Sequence, residues 1–399
     1  MTSLQLGGYD PLDAQLDAQL DAQFGDAAIG PPQPAGRSSL RRRLAGWSAS
    51  SVPVASLLLV GMAIGPHGIS LLSPGVLSLL DPAMPVALAV LGALVGLSVD
   101  VRAIGWRRAL AAGFVESALT TALVAAGVAL LAPIVWPSTA APLWMLASGL
   151  GLCAATSLAV PSGNPTEPRA SDRRVVELGV LAPIVLGGLL LGVALQGATL
   201  AAITLVGQAA VIAVLLAGSA WLLLARASSD TEQRVFAFAA MLLVGGAADY
   251  LSLSALLSGL MAGAFWRLAG GPAEASLRRD ARFVQHSLLV LVLVVAGART
   301  DFTLTAVAVA AMYVFLRTAG KLLGGWAAAA VAGTVGKRGL GAHLLSPGVF
   351  GVALALNLFR SGVPDATTLL SIVVLGTVGA ELVAEIGRPL EAKSAEAAD

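Results

Sequence analysis

From Trp47 almost to the C-terminus, runs of about 20 apolar residues alternate with short polar joints, and each run is long enough to cross a hydrocarbon core roughly 30 Å thick as a helix. The pattern predicts twelve crossings, at about 47–66, 83–99, 106–132, 141–160, 172–196, 199–225, 235–249, 252–268, 282–298, 303–333, 339–359 and 364–388. The piece 69–80 is too short to span and contains Pro74, so it reads as a connecting segment on the outer side. Apolar runs of this length satisfy their own backbone in lipid only as helices, whereas a membrane barrel would alternate over segments of about 10 residues. The expectation is an all-α polytopic membrane protein.

Composition agrees. Of 399 residues, 57% are hydrophobic and only 12% charged, with a mean hydropathy of +0.85, where a soluble domain carries about 25% charged residues. The single cysteine, Cys153, excludes an internal disulfide and a thiolate metal cluster. A net charge of +1 gives no pull toward nucleic acid, and no such partner is expected.

The first 45 residues differ from the rest. Three LDAQ units (Leu12 to Gln23), a GPPQPAG stretch and Arg41-Arg42-Arg43 follow one another, with no early apolar region of the signal-peptide kind. The expected organisation is a disordered cytoplasmic tail over 1–45, a membrane domain over 46–390 and a short cytoplasmic tail over 391–399.

Charge placement sets the topology. With the tail inside, all but four of the 24 Lys and Arg residues fall on the tails and inner loops; Arg299 and Arg360 lie outside, and Arg317 and Lys321 lie within a helix. This is the bias of the positive-inside rule. Both termini are therefore expected in the cytoplasm of a cell (inner or plasma) membrane protein.

The two halves also resemble each other. LVGLSVD (94–100) and VAGARTD (295–301) align Gly96 with Gly297 and Asp100 with Asp301, an offset of 201 that carries Glu116 onto Arg317. The copies begin an odd number of crossings apart, so the second is inverted, as in secondary transporters that bind cargo near the midplane. In equivalent places the fourth crossing carries Thr156, Ser157 and Pro161, and the eleventh Ser346, Pro347 and Gly348. Pro removes a backbone donor and Gly loosens the chain, so two interrupted, crossed helices are expected there, within core helices at about 83–196 and 282–359.

Seven stretches in order, GMAIGPHGISLL (61–72), VLGALVGLSVDVR (90–102), LSLSALLSGLMAGAF (251–265), VAGARTDF (295–302), LRTAGKLLGGW (316–326), LSPGVFGVALAL (345–356) and VGAELVAEIGRPL (378–390), resemble the monovalent cation:proton antiporters with a sodium/hydrogen exchanger domain. The resemblance covers roughly residues 50–390. It implies a two-lobed helical bundle with two crossed broken helices, a dimer, and elevator-like exchange of a cation against protons. In that family the fifth helix carries a pair of polar and acidic residues whose second member, an Asp, binds ion and proton in turn. Matching the downstream proline to Pro183 puts Glu177 first and Leu178 second, so that Asp is replaced here.

Glu177, shifted by one residue from that Asp, is expected to take the ion and proton in its place with the Thr156 and Ser157 hydroxyls, and Lys321, which the resemblance aligns with the family's core lysine, to pair with the acid when no ion is bound. A lysine within a membrane helix is costly and has a partner; a permanent Glu177–Lys321 bridge without an ion is the competing reading. Glu116 and Arg317, equivalent in the repeat, are expected as a structural ion pair. Asp100 and Asp301 read as helix caps or interfacial partners of nearby basic residues, while Asp249 and Glu381 are structural or line an access funnel. His67 and His343 form no metal-ligand spacing, His286 near an inner helix start is structural or senses cytoplasmic pH, and Gly187, Gly188 and Gly192 serve tight helix packing.

No Walker loop, Ser/His/Asp set or HExxH pattern is present, so neither an enzyme nor a cofactor is expected. The expected partners are a monovalent cation (Na⁺ or K⁺), protons, the lipid bilayer and a second copy of the chain. A non-transporting scaffold or sensor, or a carrier of an anionic or organic solute, remains the alternative.

Overall fold

The computed structural model describes residues 54–99, 105–135, 141–157, 170–197, 199–227, 229–333 and 344–396. The LDAQ tail, Asp100, Pro161 and His343 lie outside them. Helices follow in the order α1 (Val54–Ile64), α2 (Pro74–Leu80), α3 (Ala83–Ser98), α4 (Trp106–Val135), α5 (Leu143–Ala155), α6 (Ala170–Gly179), α7 (Leu181–Gln196), α8 (Thr199–Arg226), α9 (Asp230–Tyr250), α10 (Ala255–Ala269), α11 (Pro272–Ala298), α12 (Leu304–Ala332), α13 (Val349–Arg360) and α14 (Ala366–Glu396).

Among the described residues, six spans are long and apolar enough to cross a membrane: Trp106–Leu131, Arg174–Gln196, Thr199–Arg226, Ala273–Ala298, Leu304–Ala332 and Ala366–Glu385. α2 and α3 together make another, bent by 48°. α1, α5, α10 and α13 are apolar but shorter. The protein is thus a multi-pass helical membrane protein, in which several of the expected crossings are short or interrupted.

Local chemistry explains where elements begin and break. The 69–80 connection contains a helix, because Ser73 accepts from the Val76 N–H and Pro74 occupies the first turn, where its missing N–H costs nothing. The fifth crossing is split at Val180 into α6 and α7; Pro183 stands four residues after Gly179 and cannot bond its carbonyl. α11 starts ten residues before the apolar run, with Pro272 and Glu274 in its first turn. Glu274 takes Arg267 at 2.7 Å and Arg278 one turn on, which keeps the polar end helical.

Close backbone approach holds the bundle. α3 and α10 form the most extensive helix pair, followed by α4 and α12. A Cβ placed on Gly259 would lie 1.9 Å from the Ala89 carbonyl oxygen, one on Gly263 2.1 Å from that of Ala93, and one on Gly92 2.1 Å from that of Leu256. α1 and α11 meet likewise, through Gly61 against Val294 and Gly297 against Leu58. Lipid tails are as apolar as leucine, so helices gain by dispersion and close fit rather than by escaping water. Glu381 of α14 accepts the Ala55 N–H at 2.6 Å and caps the start of α1, a structural role.

At one end of the bundle Arg299 and Arg360, the two arginines assigned to outer loops, meet at Asp81. Arg360 also pairs with Asp249 at 2.8 Å, and Arg299 lies over the Phe359 ring at 5.1 Å. Both arginines sit at helix C-termini, where a positive charge is favoured. Asp249, Asn357 and Arg360 line a cavity of about 250 Å³ there. His67 reaches Asp301 at 3.0 Å beside the start of α12.

Gly259→Val, forced against the Ala89 carbonyl, should cost about 1–3 kcal/mol or more and lower the Tm of the purified protein in detergent. Gly246→Ala, which meets open space, should leave Tm unchanged; equal effects would show that the α3–α10 approach does not limit stability.

Candidate functional site

α5 stops at Ala155, and the chain continues extended through Thr156 and Ser157. On the other side, Leu344 to Gly348 run in without helix and α13 begins at Val349. Ser157 and Pro347 pair as an isolated antiparallel bridge, so the two interrupted segments cross in contact. The glycines make this possible: a Cβ on Gly348 would lie 2.9 Å from the Ser157 backbone, and one on Gly351 2.6 Å from the Cys153 carbonyl oxygen. The Thr156 hydroxyl donates to Cys153 O at 3.0 Å and the Ser157 hydroxyl to Leu344 O at 3.2 Å. Each hydroxyl oxygen keeps its acceptor lone pairs.

An interrupted helix leaves carbonyls without partners, and here two cations of α12 take them. Arg317 donates to Leu345 O at 2.8 Å, Thr156 O at 3.3 Å and Ser346 O at 3.5 Å. Lys321, one turn further along the same face, donates to Ala155 O and forms a 2.7 Å salt bridge with Glu116 Oε1. Thr120, one turn after Glu116 on α4, donates to the same oxygen at 3.2 Å. Lys321 is 0% exposed and Glu116 2%, and Arg317 is equally enclosed. α4 and α12 come this close because Gly320 faces Thr120 and Gly324 faces Glu116; a Cβ on Gly324 would stand 2.9 Å from the Glu116 carbonyl oxygen.

Two expected pairings are therefore corrected. Lys321 pairs with Glu116 and not with Glu177, which lies half-buried on α6. Arg317 does not serve as the partner of Glu116 but bonds the broken-helix carbonyls, for which its planar five-donor guanidinium is suited. Leu178, next to Glu177, is buried. The structure brings Glu116, Lys321, Arg317, Thr156, Ser157, Ser346, Pro347 and Gly348 together at one crossing. Thr120 and the Ala155 carbonyl were missed, although the offset of 201 that sets Glu116 against Arg317 also sets Thr120 against Lys321.

The sodium proton antiporter MjNhaP1 of Methanocaldococcus jannaschii, in its structure at pH 8, superposes with a TM-score of 0.61 at 16% identity, covering 94% of this chain and 96% of that one. The electron-microscopy structure of the same antiporter gives 0.59 at 17% identity, covering 97% of each chain. The chain has the sodium proton antiporter fold. No protein-family model and no curated protein sequence matches it. The antiporter fold thus reaches this chain through shape, with a Glu116–Lys321 pair at the crossing of its interrupted helices.

Lys321→Met should destabilise the protein by about 3–5 kcal/mol, because it leaves a buried carboxylate without its counter-charge. The double variant E116M/K321M should lose less than either single variant, as read from detergent Tm values in a double-mutant cycle. Additive losses would mean that the two charges do not interact.

Proposed function

We propose that the protein is a secondary active transporter that exchanges a monovalent cation, Na⁺ or K⁺, for protons by elevator-like alternating access. The observation that carries this reading is a carboxylate–ammonium pair buried where two interrupted helices cross. Such a pair in low dielectric is expensive, and ionisable groups inside a membrane bundle mark ion and proton pathways. The antiporter fold and the match over nearly the whole chain support the same reading.

The cation would be met by hard oxygens, namely a carboxylate, the Thr156 and Ser157 hydroxyls and a backbone carbonyl released by Lys321. The inverted repeat gains support from contact geometry: Gly96 abuts α10 as Gly297 abuts α1, and Glu116 on α4 pairs with Lys321 on α12, the position equivalent to Thr120. The charge distribution of the loops supports an inner or plasma membrane location with both termini cytoplasmic. A homodimer belongs to the reading on the resemblance alone. One observation favours another cargo: two buried cations face one buried carboxylate, which would suit an anionic solute. Against it, Arg317 is occupied by three carbonyls.

Purified protein in liposomes with a preset pH gradient should dissipate that gradient when Na⁺, K⁺ or Li⁺ is added. Lys321→Met should slow this by roughly tenfold or more. Folded protein that answers none of the three cations would exclude antiport and promote the scaffold or anion alternatives.

A further inference from the structure

Among the described residues Glu116 is the one fully buried carboxylate. It is on α4, not on the crossing that carries Glu177. Its Oε1 takes Lys321 and Thr120, while its Oε2 lies 3.7 Å from the point where a Gly179 side chain would begin. The second oxygen thus faces the place where the fifth crossing is broken between α6 and α7.

The lysine ammonium marks out a cation position. It is a compact point charge held by Glu116 Oε1 and the Ala155 carbonyl oxygen. The Thr120 hydroxyl, bonded to the same Glu116 oxygen, adds another oxygen close by. All of these are ligands that a hard monovalent cation accepts. Arg317 cannot release a proton in a protein, so Glu116 and Lys321 are the groups at the crossing that can change charge.

We propose that Glu116 is the carboxylate that binds the transported cation, and that it does so in exchange for the Lys321 ammonium, one cation for one proton. This rests on the antiport reading. In the resting pair the carboxylate is bonded to the ammonium. When a monovalent cation enters, it takes the carboxylate and the Ala155 carbonyl; the ammonium, its counter-ion gone, releases one proton to water on the open side. The reverse step re-protonates the amine and expels the cation. The site carries the same charge in both loaded states, so the exchange is electroneutral, and a single acid suffices.

Gly179 supplies the decisive variant. A Cβ there would have only ordinary contacts, at 3.5 Å to Gly113 and 3.7 Å to Glu116 Oε2, so E116Q/G179D places an acid on the opposite side of the same gap. In liposomes, cation-driven proton flux should fall by roughly tenfold or more in Glu116→Gln, and by more than in Glu177→Gln. E116Q/G179D should regain flux with an altered KM for the cation. Wild-type flux should not respond to an imposed membrane potential.

Flux that survives Glu116→Gln, or an unaltered KM in E116Q/G179D, overturns the inference and leaves antiport standing. Potential-driven flux overturns the one-for-one exchange. The double variant keeps one acid at the site and so decides the matter if Glu116→Gln does not fold. If the wild type shows no flux, antiport fails and binding decides: Na⁺, K⁺ or Li⁺ raising the Tm of the wild type over a different concentration range from that of E116Q/G179D supports Glu116 as the cation ligand. Equal shifts, or none, overturn it.

Discussion

Backbone carbonyls exposed by breaking a helix in an apolar interior impose the constraint on which this site is built. Ala155, Thr156, Leu345 and Ser346 present oxygens with no helical partner and no bulk water nearby, and leaving such groups unpaired costs several kcal/mol in a lipid-like medium, by order of magnitude. Arg317 and Lys321 satisfy them from one face of α12. The two added cations then require an anion, and Glu116 supplies it from α4. Each member exists because of the previous one: the break calls for the cations, and the cations call for the acid.

The same break gives the bundle something to work with. A continuous helix offers no carbonyl to an ion, whereas the end of α5 and the start of α13 offer several beside extended chain. Oxygen ligands, a carboxylate and an exchangeable amine are thus gathered without a loop reaching in from solvent. The structural role of the pair and its proposed chemistry are compatible, because a lysine ammonium can neutralise a buried carboxylate and can also give up its proton.

Small residues make the arrangement geometrically possible. Gly320 and Gly324 let α4 and α12 approach until Glu116 meets Lys321, and Gly348 and Gly351 let the two interrupted segments cross. Gly92, Gly259 and Gly263 do the same for α3 and α10, far along the chain from the charges. In a membrane interior, where association gains little from excluding water, this closeness is itself the stabilising interaction. At the end of the bundle the chemistry changes: Asp81, Asp249, Arg299 and Arg360 form an ion cluster of the kind that suits a polar boundary.

The run lengths of apolar residues determined the class of protein by themselves, since only helices can bury about 20 consecutive apolar residues in lipid. Periodicity and the Pro-Gly positions also located the breaks near Ser157 and Pro347, because a missing N–H interrupts a helix wherever that helix later packs. The offset of 201 put Glu116 and Arg317 at matching places. What the sequence could not decide was partnership. Glu116, Glu177, Arg317 and Lys321 admit several pairings along the chain, and which one forms depends on how closely α4 approaches α12 and on which carbonyls the breaks expose. Tertiary packing assigned the lysine to Glu116 and the arginine to the backbone, because salt bridges are set by distances of a few ångströms that no spacing along one chain contains.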